Sequence, residues 1–67
     1  MISYAPLWRT MSQQNITTYK LIKSYGLSPR LINDLKHNKG INIHTLEKLC
    51  QILNCTPNDV VEFHNDE

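Results

Sequence analysis

Arg30 and Asn33 lie three residues apart in a chain of 67 residues, and Lys36, His37 and Lys39 follow closely. That spacing puts Arg30 and Asn33 on one face of a helix. A guanidinium carries paired donors that fit two acceptors on a guanine edge, or that grip a phosphate. A carboxamide carries the donor and acceptor that match adenine, and otherwise is an ordinary solvated side chain. Asp34 sits among them; it could accept from a cytosine amine or reject wrong sequences, and its plainer reading is a helix-surface carboxylate. The remaining reactive side chains form no constellation. His37, His44 and His64 with Cys50 and Cys55 lack the spacing of a structural zinc site. With only Gly26 and Gly40 present, there is no phosphate-cradling glycine loop, and no nucleophile has a base and an orienting acid. An enzyme is not expected, and neither is a cofactor, a metal or a small-molecule ligand.

Charge is distributed unevenly. Residues 1–44 carry six cations (Arg9, Lys20, Lys23, Arg30, Lys36 and Lys39) against Asp34, whereas residues 45–67 carry Lys48 against five carboxylates. The net charge is only +1, but a basic half and an acidic half let one face hold a polyanion while the other stays soluble. A chain this short buries only ~60% of its unfolded surface, which predicts one economical domain spanning residues 1–67. No run approaches the ~20 apolar residues of a membrane span, and the N-terminus lacks a signal-peptide layout. A cytoplasmic location without membrane attachment is expected, with Cys50 and Cys55 as reduced, partly buried thiols rather than a disulfide.

Caps and turn formers predict the elements that would hold these residues. Pro6 suits a first helical turn, and Leu7, Met11 and Gln14 follow at helical spacing, giving a helix from about Ala5 to Gln14. Tyr4 and Trp8, four apart, read as a lid on the core. Thr17 or Thr18 caps a second helix reaching Tyr25, with Leu21, Ile22 and Tyr25 inward, and Gly26 stops it. Ser28-Pro29 is a cap followed by a first-turn proline, opening a third helix to about His37 with Ile32 and Leu35 buried. Leu31 leans toward a neighbouring helix, with contact to a thymine methyl as its alternative. Asn38-Lys39-Gly40 is a turn, and Asn42 caps a fourth helix in which Leu46, Leu49, Cys50 and Leu53 form the apolar row. Thr56-Pro57 opens a short fifth helix through Phe63, and residues 64–67 form a fraying polar tail. No strand pattern is visible, so the predicted architecture is compact and all-α with five helices.

Two short helices joined by a glycine-containing turn, Thr18 to Lys36, leave one side of the second free to enter a major groove. The order and spacing of Leu21, Gly26-Leu27-Ser28, Ile32, Leu35, Thr45-Leu46-Glu47-Lys48-Leu49-Cys50 and Leu53-Asn-Cys-Thr-Pro-Asn-Asp-Val resemble the Cro/repressor-type (Xre-like) helix-turn-helix family over nearly the whole chain. The resemblance implies a five-helix, λ-repressor-like DNA-binding domain acting as a repressor-like transcriptional regulator, and often a two-fold dimer. Ile22 replaces the family's usual alanine, which predicts a slightly wider crossing of the motif helices. Met11 and Lys36 replace an arginine–glutamate pair common in repressors.

By the resemblance and by helical geometry, Pro29, Arg30, Asn33 and Asp34 face double-stranded DNA, with Lys36 and His37 toward the helix end. Thr18 matches a phosphate-gripping position of the family, where exposed amides also favour an anion. Ser28 is a cap first and a phosphate contact second; Lys39 is a phosphate clamp, and Lys20 and Lys23 are weaker candidates. The competing function is a protein-interaction module on the same fold, such as an antirepressor, antitoxin or regulatory adaptor. An excess of apolar residues (Val60, Val61, Phe63) in the acidic C-terminal segment suggests a homodimer contact.

Overall fold

The computed structural model describes residues 1–65. The chain runs β1 (Ile2–Ser3), α1 (Ala5–Gln13), α2 (Thr18–Lys23), α3 (Pro29–Lys36), α4 (Ile43–Leu53), a 3₁₀ turn (Pro57–Asp59) and β2 (Glu62–Phe63). No helix among the described residues is long and apolar enough to cross a membrane.

Side-chain caps start three of the four helices. Thr17 Oγ1 accepts from the Lys20 N–H at 3.1 Å, Ser28 Oγ from the Leu31 N–H at 3.1 Å, and Asn42 Oδ1 from the Thr45 N–H at 2.8 Å. Each cap stabilises its helix by about 1 kcal/mol. Departures from the helices are equally patterned. Asn15, Gly26, Asn38 and Asn54 all take positive φ, so every helix is left through a residue that tolerates left-handed geometry.

The core draws on every helix. Leu7, Leu21, Leu35, Leu49 and Leu53 are fully buried, together with Val60 beyond the helices and Tyr4 just before α1. A side chain of this size contributes roughly 1.5–3 kcal/mol when fully buried. Trp8 packs against this cluster half-buried, which fits the lid role, as do Ile22, Leu31, Leu46 and Cys50. Two polar links fasten α1 across the base of the fold: Thr10 Oγ1 donates to the Asp59 carbonyl at 2.8 Å, and Gln14 Nε2 to the Leu53 carbonyl at 2.6 Å.

Several expectations are corrected. The described residues form four helices and a small sheet rather than five helices. Thr56-Pro57 does open a turn, with the Thr56 N–H and Asp59 Oδ2 closing it at 3.4 Å, but only one 3₁₀ turn follows. Val60 then enters the core, and Glu62–Phe63 pairs antiparallel with Ile2–Ser3 in the register Ile2↔Phe63 and Ser3↔Glu62. Strand pairing satisfies backbone groups that a further helical turn would have bonded locally. The same ladder continues to His64, whose N–H reaches the Met1 carbonyl at 2.8 Å, so His64 does not fray; the last two positions of the expected tail, 66–67, lie outside the described residues. The second helix ends at Lys23, leaving Tyr25 in the turn at 36% exposure instead of in the inward row. The first and third helices each end one residue earlier than expected, with Gln14 and His37 as caps.

Cys50 and Cys55 are both half-buried free thiols. The Cys55 N–H closes the end of α4 on the Cys50 carbonyl at 3.0 Å, which brings the two side chains together as the apolar pair of a Schellman-type ending. Burial, reinforced by the neighbouring Cys50 and by Asp59, pushes the Cys55 thiol up from 9.0 to about 11. The folded state therefore resists ionising a group that the unfolded chain ionises more readily. The stabilisation is complete below pH 9 and is lost as pH rises toward 11. Chemical denaturation of the wild type should thus show stability falling between pH 9 and 11, with a shallower fall in Cys55→Ala. Parallel slopes in the two proteins would contradict the assignment.

Candidate nucleic-acid interface

The linker between α2 and α3 is built around Gly26, at φ 71°. It sits where the chain must reverse within a few residues, and the Leu27 N–H reaches back to the Leu21 carbonyl at 3.1 Å. Leu27 is itself buried, so the turn is anchored in the core and not merely hinged. Ser28 then caps α3 with Pro29 in its first turn. Ile32 and Leu35 face the core, and their burial fixes the rotation of α3 about its axis. The opposite side carries Pro29, Arg30, Asn33, Lys36 and His37, all exposed. Arg30 and the Asn33 carboxamide make no hydrogen bond or ion pair among the described residues.

The far end of α3 is held from outside the helix. His37 Nδ1 lies 2.8 Å from the Asn33 carbonyl, and Asn38, at φ 56°, turns the chain away. Asn38 Oδ1 accepts from the Tyr4 N–H at 3.2 Å, and the buried Tyr4 hydroxyl donates to the Lys39 carbonyl at 2.6 Å. The Lys39 N–H bonds the Asp34 carbonyl at 2.9 Å. Lys39 therefore has a pinned backbone and an exposed side chain. Burial, aided by the nearby Asp34 charge, raises the Tyr4 phenol above its ordinary value of 10.0 and keeps it a donor. Asp34 is half-buried one helical turn after Arg30, at the edge of this face, and its charge acts on the Tyr4 phenol.

Of the residues expected from sequence, Pro29, Arg30, Asn33, Lys36 and His37 come together on one exposed surface of α3, with Lys39 just beyond it. Thr17 holds the cap of α2, and Thr18 occupies its first helical position, half-buried. Lys20 and Lys23 are exposed on α2. Two residues escaped the sequence reading. Tyr19 is 68% exposed beside Thr18, with Lys23 Nζ 6.0 Å from its ring centre; its signal is an aromatic out of step with the inward row of α2. Asn38 looked like a generic turn residue, and its link to Tyr4 spans 34 positions.

This arrangement of two helices and an anchored turn recurs in known proteins. Residues 6–66 match the family of Cro/C1-type HTH DNA-binding domains. The chain belongs to that family. Its function is accordingly that of a DNA-binding helix-turn-helix regulator. A Bacillus subtilis (strain 168) protein described as an uncharacterized HTH-type transcriptional regulator, YozG, is 29% identical over 59 residues, covering 85% of this chain and 70% of that one. The crystal structure of the transcriptional regulator VanUg is similar with a TM-score of 0.83 at 26% identity, covering 91% of this Cro/C1-type chain and 81% of the other.

The two glycines separate the scaffold's demands. A Cβ at Gly26 or Gly40 meets nothing within 4 Å, so only Gly26, with its positive φ, penalises a side chain. Gly26→Ala should destabilise the fold by about 1 kcal/mol, whereas Gly40→Ala should be neutral or slightly stabilising. Tyr4→Phe, which removes the donor to Lys39, should cost about 1 kcal/mol, or ~4–8 °C in melting temperature. Thermal melts followed by circular dichroism would read all three, and an unchanged Tyr4→Phe would show that the hydroxyl contributes nothing to the frame.

Proposed function

We propose that α3 lies in the major groove of double-stranded DNA and that Arg30 and Asn33 read base edges, as in a repressor-like transcriptional regulator of the cytoplasm. The observation that carries this is the exposed side chains of Arg30 and Asn33, which have no hydrogen-bond or ion-pair partner among the described residues, on a helix whose rotation the buried Ile32 and Leu35 fix. Groups without a partner in the protein keep their donors for a ligand, and a locked helix presents them at constant geometry. Pro29 and Ser28 bring the helix start close to the groove, and its exposed first-turn amides favour a phosphate. Thr18, Lys36, His37 and Lys39 flank the reading pair as backbone contacts, with Lys20, Lys23 and the Tyr19 hydroxyl along α2. Asp34 borders the reading pair, half-buried, and the competing reading, a protein-interaction module on the same fold, draws on that carboxylate and on the net charge of +1. Two copies on a two-fold operator, with half-sites about 34 Å apart, complete the reading.

Selection of bound sites from random duplex DNA should enrich one sequence for the wild type. Arg30→Ala should lose preference at one base position, at a cost of ~1–3 kcal/mol, while Lys39→Ala should weaken all sequences alike and reduce the salt slope by about one. No enrichment at low salt would refute DNA recognition. Arg30→Ala behaving like Lys39→Ala would make Arg30 a phosphate contact.

A further inference from the structure

The end of α4 brings two thiols together. Cys50 and Cys55 are separated by a bend at Asn54, whose φ of 50° folds the chain back over the last helical turn. The Cys55 N–H meets the Cys50 carbonyl at 3.0 Å. With standard bond lengths that contact holds the two Cα atoms to at most about 7 Å, the outer limit for a disulfide. Both side chains pack half-buried against the core. Burial first, then the charges of Cys50 and Asp59 and a hydrogen bond between the two thiols, hold Cys55 protonated. DNA recognition makes no use of the pair. An apolar contact at a helix ending of this kind needs no sulfur, since any aliphatic pair supplies it. Among the described residues no third His, Cys, Asp or Glu joins them in a metal-binding group.

We propose that Cys50 and Cys55 form a reversible disulfide site, closed by exchange with a small-molecule disulfide. Cys50, as thiolate, attacks one sulfur of that disulfide; a mixed disulfide forms and one small thiolate leaves and is protonated. Cys55 then gives its proton to solvent, and its thiolate attacks the Cys50 sulfur. The Cys50–Cys55 bond forms, the bond to the small molecule breaks, and the second small thiolate leaves and takes a proton. The protein is oxidised by two electrons, and the small disulfide is reduced to two thiols. The bond closes a loop where α1 leans on the end of α4: the Leu53 carbonyl accepts from Gln14, and the Asp59 carbonyl, just beyond the loop, accepts from Thr10. None of the residues proposed to meet DNA lies between Cys50 and Cys55. Closure therefore stiffens the domain under oxidising conditions and leaves α3 free.

The site is independent of the reading of α3 and is tested without DNA. The full chain, incubated with oxidised glutathione, quenched by alkylation and weighed, should have lost two hydrogens, with no glutathione retained and no thiol left to alkylate. Its melting temperature should rise by roughly 5–15 °C over the reduced chain, the gain expected for so short a loop, and dithiothreitol should reverse the rise. Cys55→Ser should stop at one glutathione held on Cys50. A wild type that stops at the mixed disulfide, that links only to a second chain, or that melts no higher when oxidised overturns the proposal. So does Cys55→Ser that stays unmodified. The first three outcomes are read on the wild type, so a variant that fails to fold does not obscure them.

Discussion

The buried Tyr4 side chain joins parts of the molecule that have no other reason to meet. Its backbone N–H engages Asn38, its hydroxyl engages the Lys39 carbonyl, and its ring fills the core beside Leu7 and Leu35. A domain of this size has few such opportunities, since most of its residues touch solvent. The ring must be buried for its apolar area, and the hydroxyl must then find a partner, because an unmet donor in the interior costs about 1–3 kcal/mol. It finds one in the Lys39 carbonyl at the exit of α3. Satisfying the tyrosine therefore positions the end of α3 and holds the entry to α1 against it. Where the N-terminal segment is fixed, β1 can receive β2.

A division of labour follows within α3 itself. Ile32 and Leu35 contribute apolar burial, Ser28 and Asn38 set the two ends, and the Asp34 charge helps keep the Tyr4 phenol protonated. What remains, Arg30 and Asn33 with Lys36 and His37, has no structural duty beyond His37 closing the helix on Asn33. The side chains proposed to read DNA can thus vary without touching stability, provided the packed side is kept. The modest net charge fits this arrangement, because the cations concentrate in the half that carries α2 and α3 while the acidic half carries most of α4, the 3₁₀ turn and β2.

Local chemistry made most of the helical framework legible in the sequence alone. Ser28-Pro29, Asn42 and the threonines before α2 name helix starts, because their short side chains satisfy amides that nothing else in the helix can reach. Gly26 names the motif turn for a backbone reason, and the heptad-like row of α4 names its buried side. These are interactions within a few residues, so they survive without knowledge of the fold. The same logic identified Arg30 and Asn33 as available, since the inward rows of α3 were already occupied by Ile32 and Leu35. It also assigned the family, whose signature is a set of such local features in fixed order.

Other features were decided by contacts between distant positions. Two-residue strands carry no periodicity, so β1 and β2 exist only because the ends of the chain lie side by side, and the acidic segment read as a fifth helix became a 3₁₀ turn and a strand once Val60 was drawn into the core. Tyr25 left the inward row because the Gly26 exit consumed the last turn of α2. Arg30 and Asn33, by contrast, were set by residue type and spacing, and packing added only the fixed direction in which they face. The sequence alone determined which side chains could read a base; the tertiary structure decided how firmly they are held, because hydrogen bonds from Tyr4 and burial of Ile32 and Leu35 act across the fold and not along the helix.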